Sequence, residues 1–271
     1  MYDNNLYLPK SNTMKLVSKV LFTLLLAALP LSLFAQGPTI VLEYMKVTQE
    51  SEGLYLEVEQ AWKEIHKKRI DEGLSVGWQL WRNVYAGYGD PYQYVTINWY
   101  KDWAHSLAEI PEDFWADVWE NAGDDLYEKT MKSRVLVDRE VIHQVMAADT
   151  SAGASYILVN RMKVKPGMGG DYVEFEREFG KPLAEEAIRR GQMSHWGVWN
   201  AYPFDAAHMR YSTVDGYNSI EQMTADGEDL LPIVHPNLTW EEASKKANNA
   251  RTMVSRELWE LVDFIFPEDE E

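Results

Sequence analysis

The chain contains no cysteine. That excludes disulfide staples, thiolate metal centres and thiol nucleophiles, so the fold must rest on its core. Histidine is sparse: residues 66, 105, 143, 195, 208 and 235, with no H-x-x-x-H pair among them. No metal site is expected from that spacing. Positive charge is short as well, with 26 Lys and Arg against 43 Asp and Glu and a net charge of −17. A surface so acidic disfavours nucleic acid and anionic lipid as partners. Glycine-rich phosphate loops, nucleophile elbows and dinucleotide-binding fingerprints are missing. The stretch KPGMGGD (165–171) reads only as a turn entering a helix.

Long apolar runs are lacking too, with one exception from Val20 to Phe34. It follows Lys15 and Lys19, contains Pro30 and ends at the small Ala35. At about fifteen residues the run is too short for a comfortable membrane span. Residues 1–35 therefore read as a signal peptide, with 1–13 as an extension ahead of Met14. An exported protein, periplasmic or extracellular, is expected, with no membrane attachment after cleavage. The acidic tail, 267–271, reads as a solvated end.

Aromatics and an internal repeat fill the rest. Met45-Lys46-Val47 recurs as Met162-Lys163-Val164, and Tyr55, Glu57 and Glu59 recur as Tyr172, Glu174 and Glu176. The offset lengthens by one residue between Trp62/Phe179 and Gly73/Gly191, near Lys181-Pro182. An added residue beside a proline predicts a helix kink or π-bulge. The offset shortens again before Tyr94/Tyr211 and then holds through Arg134/Arg251 and Arg139-Glu140/Arg256-Glu257. Each copy reads strand, helix, two strands, a helical region and a closing strand. On the first helix, Tyr55, Val58, Trp62 and Ile65 share a face in copy one, as do Tyr172, Phe175, Phe179 and Leu183 in copy two. Gly73 and Gly191 sit where those helices should end. The organisation is a module at 38–147, a linker at 148–155 and a module at 156–266.

GWQLWRN and HWGVWNA place Trp78/Trp81 and Trp196/Trp199 three apart on the second strand of each copy. Residues i and i+3 of a regular strand face opposite sides, so both faces of each sheet must be covered. Helices cover one face, and the other copy must cover the second. One Trp of each pair then lies under helices and the other inside a barrel; the sequence leaves open which. A buried Trp contributes at most roughly 4–6 kcal/mol, enough to justify all four as core.

The βαββαβ order, the junction VKPGMGGDYVEFEREF (164–179) and the closing strand RELWELV (256–262) resemble the ferredoxin-like dimeric α/β-barrel superfamily. That group includes antibiotic-biosynthesis-type monooxygenases and NIPSNAP-like proteins. The resemblance implies an α+β fold in which two tandem ferredoxin-like βαββαβ modules form an intramolecular α/β-barrel. It also makes a cofactor-independent or haem-linked oxygenase possible. No cofactor is required by the residues themselves.

The polar residues that differ between copies are the catalytic candidates: His195 (against Gly77), His143 (against Glu260) and Arg161 (against Tyr44). A histidine near a cavity can act as acid or base or ligate haem iron, and a satisfied core histidine is the plainer reading. Asn98 and Asp215 also differ at one position. The aromatic ligand-binding candidates are Trp78, Trp81, Trp196, Trp199, Tyr94, Tyr211 and Tyr44. Arg134/Arg251 and the Arg-Glu pairs suit ion pairs at helix ends better than an anion-binding rim. The expected function is binding of a small apolar or aromatic molecule in or beside the barrel. The alternatives are the oxygenase and a non-catalytic interaction scaffold. A monomer with a pseudo-dimeric barrel is expected, with further oligomerisation open.

Overall fold

The computed structural model describes residues 37–121, 125–149, 153–202 and 209–267. The expected signal peptide (1–35), linker residues 150–152 and tail residues 268–271 lie outside these.

The first module runs β1 (Thr39–Lys46), α1 (Glu52–Asp71), β2 (Gly77–Asn83), β3 (Tyr94–Tyr100), short helices α2 (Trp103–Ser106), α3 (Glu112–Asn121) and α4 (Leu126–Ser133), and β4 (Val135–Asp149). The second runs β5 (Tyr156–Val164), α5 (Gly169–Phe175), a π turn (Glu176–Gly180), α6 (Lys181–Arg189), β6 (His195–Tyr202), β7 (Met209–Tyr217), α7 (Ile220–Thr224), α8 (Leu231–Val234), α9 (Trp240–Ala250) and β8 (Arg251–Ile265). The β-branched and aromatic strands and the amphipathic helices fall where the periodicity places them. The π turn holds the extra residue of copy two, just ahead of Pro182. Pro182 has no N–H to continue an α ladder, and the wider turn absorbs the insertion. Gly73 and Gly191, at φ 72° and 70°, stop the two long helices in the left-handed region that side chains avoid.

The eight strands close into one barrel in the order β1-β3-β2-β8-β5-β7-β6-β4. Every pairing is antiparallel. The modules meet at two equivalent seams: β2 pairs with β8, and β4 with β6. Each seam joins the second strand of one copy to the last strand of the other, so the duplication reproduces a two-fold relation within one chain.

Both faces of the sheet are buried. Inside, Ile40, Leu42, Trp81, Val95, Ile97, Ile142, Val159, Trp199 and Trp259 form a cluster drawn from both modules. Outside, Trp78 packs with Tyr55, Leu80 and Tyr94 beneath α1, and Trp196 packs with Tyr172, Ala184 and Tyr211 beneath α5 and α6. The open question of the Trp pairs thus has one answer in both copies: the first Trp lies under the helices and the second fills the barrel.

Candidate functional site

The barrel centre holds a polar cluster built from counterpart residues. Arg161 donates to the Tyr44 hydroxyl at 2.6 Å and to Glu140 Oε2 at 3.1 Å, and Tyr44 donates to the same Oε2 at 2.9 Å. On its other side, Arg161 Nε lies 3.6 Å from Glu257 Oε1. Trp259 Nε1 donates to Glu257 Oε2 at 2.9 Å, and Tyr92 donates to that carboxylate as well. Burial alone would lower the Arg161 pKa; Tyr44 and Glu140 outweigh it and hold the guanidinium charged. Burial keeps the Tyr44 hydroxyl protonated. Arg161 of the second module is therefore bound by Tyr44 and Glu140 of the first and by its own Glu257. The cluster is a satisfied clasp across the two modules.

The other sequence candidates scatter. Trp81 and Trp199 pack in the barrel core, and Trp78 and Trp196 pack under helices. Tyr94 lies against Tyr55 at 4.8 Å and donates to Glu52 at 2.7 Å, while Tyr211 lies against Tyr172 at 5.1 Å. His195 pairs with Gly216 on β7, four residues along from the Ser212 that faces Arg161. At about 3.3 Å per residue that is roughly 13 Å of strand. His143 alternates with the inward-facing Ile142 and so points out of the barrel, where burial lowers its pKa. The structure does not bring His195, His143 and Arg161 together.

What it does form is a cleft of about 490 Å³ between the outer face of the first module's sheet and its helices. Val41 and Glu43 of β1, Thr96, Asn98 and Tyr100 of β3, and Arg139 and Val141 of β4 make its floor. Glu59, Trp62, His66 and Arg69 of α1 form one wall. Leu107, Ile110 and Trp115 close it from the helical region that follows β3. None of the seven aromatic candidates lines it.

Three arginines and two glutamates face this space. Arg134 is paired with Glu59, and Arg139 with Glu43. Arg69 has no carboxylate within ion-pairing distance among the described residues. It donates instead to neutral groups: Tyr100 Oη at 2.8 Å, Asn98 Oδ1 at 3.2 Å and His66 Nδ1 at 3.3 Å. Its Nε is buried with no acceptor. An arginine can only donate, so His66 Nδ1 must accept and the His66 proton sits on Nε2. Burial, with the Arg69 charge behind it, lowers the His66 pKa to about 3 and keeps the ring neutral. The ring also stacks on Trp78 at 5.0 Å. The cleft thus offers a buried cation and a neutral imidazole N–H between aromatic walls.

Haem, which the sequence resemblance left open, does not fit this cleft. Its one imidazole is His66, and iron ligation through Nε2 would move the proton to Nδ1, against the N–H of Arg69.

The equivalent space in the second module is built differently. Past the π turn, His66 and Arg69 correspond to Ala184 and Ala187, both buried. The helix-end hydrogen bonds confirm the register: Leu74 N to Arg69 O in one copy, Gln192 N to Ala187 O in the other. Asn98 corresponds to Asp215, which accepts from Asn160 at 2.9 Å. Glu176, the counterpart of Glu59, is buried beside Gly180, where a side chain would collide with its Oε2. Burial, against Arg251 and Tyr172, raises the Glu176 pKa to about 7.

Sequence reasoning missed His66, Arg69 and Trp115. One signal was there for Arg69. The apolar face Tyr55, Val58, Trp62, Ile65 continues at helical spacing to position 69, where an arginine stands instead of a hydrophobe.

No family model matches the chain, and no curated protein matches it. Among solved structures, a candidate monooxygenase from Lactobacillus acidophilus NCFM is 14% identical, with 85% of this chain and 97% of that one covered and a TM-score of 0.49. A chlorite dismutase mutant from Candidatus Nitrospira defluvii is 6% identical, with 84% and 92% covered and a TM-score of 0.48. A dye-decolorizing protein from V. cholerae is 8% identical, with 85% and 94% covered and a TM-score of 0.42. This chain, like the superfamily its sequence resembles, is an α+β barrel of paired ferredoxin-like modules, here duplicated in tandem.

Proposed function

We propose that the protein binds a small, flat, aromatic molecule in the cleft of its first module. The observation that carries this reading is the set of rings around that space: Trp62, Trp115, Tyr100 and His66. Trp62 is held in place, because its Nε1 donates to Thr130 Oγ1 at 3.0 Å. A preset ring loses little freedom when a ligand stacks on it. The volume also suits a small molecule.

Titration calorimetry with naphthalene- and anthracene-based probes tests the reading. Binding in the wild type should weaken about tenfold or more in Trp62→Ala and in Trp115→Ala. Trp199→Phe, inside the barrel, should leave it unchanged. Equal affinity in all four proteins, or no binding of any probe, overturns the proposal. A catalytic reading is favoured by one feature, the buried Arg69 cation at the cleft, which would stabilise negative charge developing on a bound oxygen. Oxygen uptake during the same titrations would support it.

A further inference from the structure

We infer that the molecule taken by this cleft carries a negative charge, as an aromatic carboxylate or phenolate, and that Arg69 recognises it. The inference rests on the cleft being a binding site for an aromatic molecule.

Arg69 is 9% exposed, and its neighbours are an amide, a hydroxyl and an imidazole. A buried guanidinium without a counter-ion is costly, and proteins ordinarily supply a carboxylate. The same cleft does so for its other two arginines. Three cations against two anions leave the lining with one positive charge in excess, in a chain whose net charge is −17. Local surplus of that sign is not a by-product of composition.

The hydrogen bonds agree. Tyr100, Asn98 and His66 occupy three of the guanidinium N–H groups, and among the described residues Nε–H and one N–H of Nη2 have no acceptor. A planar carboxylate is the ligand group that suits a guanidinium with two vacant donors. His66 is neutral and leaves the Arg69 charge uncompensated. A fixed cation beside a neutral ring favours an oxyanion and repels an ammonium group. Trp62 and Trp115 cover the apolar remainder of such a molecule. Two acidic residues already engaged in ion pairs compete little for Arg69.

Calorimetry with 2-naphthoate and its neutral isostere 2-naphthamide separates charge recognition from ring stacking. The wild type should bind naphthoate at least about tenfold tighter than naphthamide. Arg69→Met should erase that preference, bringing the two probes to within about twofold of each other. Arg69→Lys should keep part of it, since the charge remains but the planar fork is lost. Trp62→Ala should weaken both probes alike. Equal affinities for the two probes in the wild type overturn the charge inference and leave the aromatic reading standing. No binding of either probe overturns both. The wild-type ratio is decisive even where a variant fails to fold.

Discussion

The two modules share an ancestry, a topology and a core, yet they line the space between helix and sheet with different residues. The difference lies on one helix face. At equivalent positions α1 presents His66 and Arg69 to the sheet, and α6 presents Ala184 and Ala187. Two long polar side chains demand polar neighbours beneath the helix; two alanines do not. The π turn shifts the frame by one residue between Glu176 and these alanines, while Glu176 stays buried as its counterpart Glu59 is. A π insertion usually marks a functional position. Here it sits in the second module, just ahead of the helix that carries the two alanines. Duplication let the halves diverge, and His66 and Arg69 stand in only one of them.

The comparison breaks most visibly if the alanine position is given the arginine. Ala187→Arg should destabilise the protein by roughly 4–6 kcal/mol, from overpacking plus a buried charge without a partner. Arg69→Ala should cost only about 1–2 kcal/mol, because the cleft lets water reach the groups it leaves. Urea denaturation measures both. Similar losses in the two variants would mean that the second module also has room for a polar side chain.

The buried glutamates offer a second contrast. Glu59 is paired with Arg134, so Glu59→Gln should cost about 3 kcal/mol by leaving that arginine unpaired. Glu176 behaves in the opposite way. Burial raises its pKa from the ordinary 4.5 to about 7. A group raised on folding contributes stability that is fully present below its unfolded value and is lost as pH rises through its folded value. The wild type should therefore weaken between about pH 5 and about pH 8 by on the order of 1–3 kcal/mol, and Glu176→Gln should flatten that decline. Asp215, also raised by burial, stays in both proteins and leaves a residual slope. Stability curves for the two proteins that remain parallel would show that Glu176 is ionised on folding.

The fold was legible because duplication doubles every weak signal. The Trp pairs required two covered faces, and Trp81 and Trp199 do fill a barrel whose outer side Trp78 and Trp196 line. The inserted residue near Pro182 foretold the π turn. The site was less legible for a physical reason. Polar residues on strands are what a barrel sequence singles out, and the barrel interior commits them to the clasp around Arg161. The cleft depends on a helix wall, where a charged residue within an apolar face reads as an interruption of the pattern. Setting Arg69 against Ala187 sharpens that signal, and the π turn moves the alignment by one residue. Trp115 lies in the helical region after β3, where the two copies share least.

The smallest contrast concerns how the modules start their last helices. Thr239 caps α9 with a complete capping box: its hydroxyl accepts from Glu242 N at 3.2 Å, and the Glu242 carboxylate accepts from Thr239 N at 2.9 Å. Asp125, ahead of α4, makes no cap hydrogen bond and pairs with Lys129 across an exposed turn. Thr239→Ala should cost about 1 kcal/mol, whereas Asp125→Ala should fall within about 0.5 kcal/mol of the wild type. The asymmetry follows from the neighbours. Helix α9 leads with Thr239 and buries Ala243, Ala247 and Ala250, so its stability depends on a well-formed first turn above small contacts. Helix α4 is held along its length by α1 through the Trp62–Thr130 bond and the Lys129–Glu57 pair. Equal losses from the two substitutions would mean that α4 depends on its first turn as α9 does, and that its bonds to α1 do not hold it.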